Sequence, residues 1–103
     1  MTSGDYDPLD SILLHMQIIS LDSPRAAQQL QVIGETLGDE MLHIAASFLV
    51  AHRLELQAGL MPDSGLFKWL ERQYPLLPPL VETACHIYIA DVSIGHRPAN
   101  PPD

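Results

Sequence analysis

The stretch from Asp39 to Leu60 constrains the fold more than any other part of this chain. Between Met41 and Ala51, nine of eleven residues are apolar, with only His43 and Ser47 intervening. At about 100° per residue, Glu40, His43 and Ser47 fall on one narrow polar stripe, and Met41, Ile44, Ala45, Phe48, Leu49 and Leu56 cover the remaining surface. A helix apolar over so much of its circumference has to be wrapped by other elements. The expectation is an all-α, single-domain bundle of about five helices around a central apolar helix from Glu40 to Gln57, with Met41 to Ala51 almost wholly buried.

Punctuation along the chain supplies the other helices. Asp7-Pro8-Leu9-Asp10 reads as a start, with Asp7 capping, Pro8 at the first helical position and Asp10 at the positive end. Leu9, Ile12, Leu13, Met16 and Ile19 follow at helical spacing, although the β-branched content leaves a strand as the competing reading. Asp22-Ser23-Pro24 is a second start, followed by an apolar face of Ala26, Ala27, Leu30, Ile33 and Leu37 that closes at Gly38. Asp63 or Ser64 caps a short helix through Leu66, Phe67, Trp69 and Leu70, which Pro75 ends. A last helix carries Leu80, Val81, Ala84, Ile87 and Tyr88 inward and stops near Gly95. Residues 1–95 form the helical domain of this reading. Residues 96–103 form a Pro-rich tail, expected to be extended and flexible.

Thirteen acids stand against five bases, for a net charge of −8. Lys68, Arg25, Arg53, Arg72 and Arg97 are scattered, whereas phosphate backbones and anionic membrane surfaces call for clustered bases. Direct nucleic-acid and membrane binding are disfavoured, and a basic protein partner is favoured. No run reaches the roughly 18 to 20 apolar residues that span a bilayer. The opening MTSGDYDPLD has neither a basic region nor an apolar core, so a cytoplasmic protein is expected. Apolar residues make up 47% of 103 positions, more than one small core readily absorbs, so a homodimer or a partner-covered face is expected as well.

The chemistry-bearing residues do not assemble into a catalytic set. Glu40 and His43 at i, i+3 match half of a carboxylate-bridged metal pattern, but the second pair, Glu82 and His86, is spaced i, i+4. A polar stripe facing water is the simpler account of Glu40 and His43. His52 lies in the apolar sector, as a core histidine would. Cys85, the only cysteine, is flanked by Ala84 and Ile87 and reads as a buried thiol. No glycine-rich phosphate loop or nucleophile elbow is present.

These features imply a non-enzymatic, small acidic protein-binding module, a regulator, inhibitor or adaptor, with no cofactor. Its partner would be basic, a nucleic-acid-binding protein among the candidates. The candidate contacts are Tyr6, Asp10, Ile12 and Trp69, since Asp5, Asp7, Asp10 and Asp22 give the first helix an acidic rim. Phe67 to Tyr74 further gathers three of six aromatics beside two of five bases. Two alternatives remain: a helical metal-binding or redox protein using Glu40, His43, Glu82 and His86, and a structural subunit of a larger assembly.

Overall fold

A computed structural model describes residues 8–96. Six helices follow one another: α1 (Pro8–Asp22), α2 (Pro24–Leu37), α3 (Asp39–Ala51), α4 (Arg53–Gln57), α5 (Ser64–Gln73) and α6 (Pro78–His96). No strand occurs among the described residues, so the strand reading of residues 12–19 gives way to helix. The start signals act as the sequence implies. Ser23 is extended and its hydroxyl accepts from the Ala26 N–H, with Pro24 opening α2. The Asp63 carboxylate caps α5 by accepting from Gly65 N–H at 3.1 Å. Gly38, at φ 105° and ψ 167°, makes the joint between α2 and α3 in backbone space essentially reserved for glycine.

The core is shared rather than centred on one helix. Ala26, Ala27, Leu30 and Ile33 of α2 interlock with Ala45, Ala46 and Leu49 of α3 and with Val81, Ala84, Cys85 and Tyr88 of α6. This corrects the expectation of a wholly buried Met41–Ala51. Only Ala45, Ala46 and Leu49 are fully enclosed, while Met41, Leu42, Ile44, Phe48 and Val50 are half-buried and Ala51 is exposed. The cause is shape: α1 and α2 flank α3, and much of its remaining surface lies at the rim of the bundle.

The central helix is also interrupted. His52 leaves helical geometry at φ −107° and ψ 18°, so α3 ends at Ala51 and α4 is a separate five-residue turn, giving six helices instead of five. His52 is not a core residue. It stacks on Phe48 at 4.7 Å between ring centroids and bonds to Glu55 at 2.8 Å. The polar stripe of α3 likewise does not simply face water. Ser47 meets the His15 ring of α1 at 3.4 Å, and His43 lies 6.0 Å from that ring. At the far end α6 continues through Gly95 to His96, one residue into the span assigned to the tail; residues 97–103 lie outside the described residues.

Candidate protein-binding face

α1 has two opposite apolar faces, and only one is used. Ile12 and Ile19, seven residues apart, share the side turned into the bundle. Leu14 and Leu21, also seven apart, lie about 200° around the helix from them. Leu14 is 56% exposed and Leu21 82%. Leu13, which spacing had assigned to the inward side, is 64% exposed and forms the edge of a groove between α1 and α2. Leu54 of α4 adds a further exposed leucine. An amphipathic surface helix would carry polar residues at these positions.

Two polar seams anchor the corner where α1 turns into α2. In the first, Ser23 donates to Asp91 of α6 at 2.6 Å, and Arg25 grips the same carboxylate with Nε at 3.2 Å and Nη2 at 2.7 Å. The Arg25 guanidinium, and then the Ser23 hydroxyl, hold the Asp91 carboxyl below its ordinary range. In the second, the Tyr88 hydroxyl donates to Asp22 at 2.5 Å, and Gln57 of α4 donates to Asp22 at 3.4 Å and to the Tyr88 hydroxyl at 3.3 Å. Arg53 Nε approaches Asp22 to 3.6 Å without a hydrogen bond. Burial, followed by the Asp22 contact, pushes the Tyr88 phenol up to about 12, so it remains a proton donor at neutral pH. The leucines of α1 are therefore displayed on an anchored scaffold.

The groove beside α1 has a volume of about 420 Å³ and is lined by Leu13, Met16, Gln17, Ser20, Ala27 and Gln31. Gln31 also borders a second hollow of about 480 Å³, with Gly34, Glu35, Asp39 and Leu42, so the two adjoin along α2. Gly34 lets the Leu42 side chain of α3 pack closely on α2, since a Cβ there would stand 3.0 Å from Leu42 Cδ2. Neither lining contains a base.

The sequence-derived contacts are placed unevenly. Tyr6 lies outside the described residues; Asp10 falls in the first turn of α1, and its side chain lies outside them too. Ile12 is only 7% exposed, so it belongs to the inward side of α1 and is not on the accessible face. Trp69 is 49% exposed on α5, while Phe67 turns inward to stack on Phe48 at 5.4 Å. Spacing alone could have separated Leu14 and Leu21 from Ile12 and Ile19. The seams pair residues more than 60 positions apart and leave no local signal.

Other chemistry is sparse. No three of His, Cys, Asp and Glu among the described residues gather to hold a metal ion, so Glu40, His43, Glu82 and His86 do not form one donor set. Burial, with Glu82 nearby, pushes the Cys85 thiol up to about 12, which suits a core residue rather than a nucleophile. Burial and the neighbouring His43 lower the His15 pKa. No helix among the described residues is long and apolar enough to cross a membrane. No protein-family model, curated protein or solved structure matches the chain.

Proposed function

We propose that this protein is a small acidic protein-binding module, a regulator, inhibitor or adaptor, that acts without catalysis by docking a basic protein on the outward face of α1. The observation that carries the reading is the pair Leu14 and Leu21, held in water on a helix whose opposite side is already in the core. Exposed apolar stripes on anchored elements are characteristic of interaction surfaces. The net charge of −8 supports a basic partner, because complementary charge speeds encounter while an apolar centre slows release.

The test is affinity capture from the native host with the wild type and a Leu14→Ser/Leu21→Ser variant. Both side chains are exposed, so the variant is expected to keep its helical circular dichroism. A basic partner should be retained by the wild type and bound at least about tenfold more weakly by the variant, the loss of roughly 1.4 kcal/mol of contact. Its association rate should fall from about 0.05 to 0.5 M salt with little change in dissociation. Equal capture by both proteins, or an association rate insensitive to salt, would contradict the reading.

A further inference from the structure

The bases of the chain are unequally engaged. Arg25 is tied to Asp91 and Arg53 sits beside Asp22, while Arg97 lies outside the described residues. Lys68 and Arg72 remain, both exposed on α5 and in no ion pair among the described residues. Helical geometry puts them on the outer side of α5, with Trp69 next to Arg72 and Leu66 beyond it towards the inner side that Leu70, Phe67 and Tyr74 mark. The outer side of α5 thus carries two unpaired cations, with exposed Glu71 to one side of them and exposed Trp69 to the other.

The two adjoining hollows along α2 are the complement of that surface. Leu13, Met16, Ala27 and Leu42 supply the apolar part of the floor, Gln17, Ser20 and Gln31 its polar part, and Glu35 and Asp39 make an acidic end with no ion-pair partner among the described residues. The lengths are comparable: ten-residue α5 is about 15 Å long, and the α2 residues that line the hollows, Ala27 to Glu35, span about 12 Å. In its own chain α5 packs on α6, touches α3 through the Phe67–Phe48 ring contact, and meets the C-terminal end of α2 only where Gln73 and Leu37 line a common hollow. It leaves that groove open.

We infer that the α1–α2 groove receives α5 from a second copy of this chain, with Trp69 and Leu66 on the apolar floor and Lys68 and Arg72 opposite Glu35 and Asp39. This contact is separate from the Leu14–Leu21 face, and each stands or falls without the other. Association is intermolecular, so it strengthens with concentration.

Light scattering of the purified full chain over a concentration series should show mass rising above the 11.4 kDa monomer. Emission from the single tryptophan should shift to the blue in parallel, as Trp69 leaves water. Lys68→Glu/Arg72→Glu should be a monomer, and so should Glu35→Lys/Asp39→Lys, each with wild-type circular dichroism. An equimolar mixture of the two should assemble again, because the exchanged charges are complementary. The neutral pair Glu35→Gln/Asp39→Asn covers the case in which a lysine at the start of α3 impairs folding, and it should weaken assembly at least tenfold. Leu14→Ser/Leu21→Ser should assemble like the wild type. A wild type that stays monomeric at every concentration would overturn the inference, even if a basic partner occupies the groove instead. Charge variants that assemble as well as the wild type, or a folded mixture that stays monomeric, would overturn it too.

Discussion

Tyr88 and Asp91, one turn apart on α6, connect this helix to the α1–α2 corner through different chemistry. The Tyr88 ring is fully buried and its hydroxyl meets Asp22 and Gln57. Tyr88→Phe keeps the ring and removes the donor, so it should cost about 1 to 2 kcal/mol, read as a lower urea midpoint at unchanged slope. Asp91 behaves as an acid-sensitive latch. Its folded pKa lies below the unfolded value because Arg25 and Ser23 favour the carboxylate. The stability it contributes is therefore present above the ordinary Asp range near pH 4 and lost as pH falls through the folded value. Asp91→Asn should be less stable than wild type at neutral pH, with the difference shrinking in acid. His15 has the opposite charge type and loses stability in acid for another reason. Its folded pKa is lowered by burial and by His43, so the unfolded chain binds more protons below about 6.5. Stability should fall as pH drops from 7 through that value, and His15→Asn should make the fall shallower. None of these partnerships was legible in the sequence, because each depends on contacts between distant helices. Cys85 was legible, since its neighbours on α6 already described an apolar surround.

At the scale of elements, the reliable signals were those with a local mechanism. Ser23-Pro24, Asp63 and Gly38 bound helices through hydrogen bonds or backbone geometry that each residue brings with it. Gly38→Ala should destabilise by about 1 to 3 kcal/mol, because its φ of 105° with ψ of 167° is costly for any residue with a Cβ. The reading of α3 failed where periodicity was asked to give depth. A wide apolar arc shows that a helix meets neighbours on several sides, and not how completely they cover it. Thus Leu49 is fully enclosed while Phe48 and Ile44 are half-buried at the rim. Leu49→Ala should cost about 2 to 5 kcal/mol by thermal or urea unfolding. The break at His52 was illegible, since neither glycine nor proline marks it. In α1 the sequence held the necessary signal, two leucine and isoleucine pairs at the same spacing on opposite sides, but composition favours neither side as the inward one. The packing of α2 and α3 decides it.

For the whole molecule, the surplus of apolar residues and acids over what one core and its internal ion pairs engage was visible from composition. Its location was not. The fold places three of the exposed leucines on α1, two unpaired acids, Glu35 and Asp39, at the hollow between α2 and α3, and the unpaired bases Lys68 and Arg72 on α5. Under the proposed function, α1 is a helix whose outer side is completed only when a partner covers it. Amide hydrogen exchange, followed in the protein alone and bound to a captured basic partner, tests that claim most directly. The account predicts that residues 13–22 of α1 gain protection on binding, while the amides of α6 around Ala84 to Tyr88 exchange at the same slow rate in both states. Protection confined to other helices, with α1 exchanging as it does in the free protein, would contradict it.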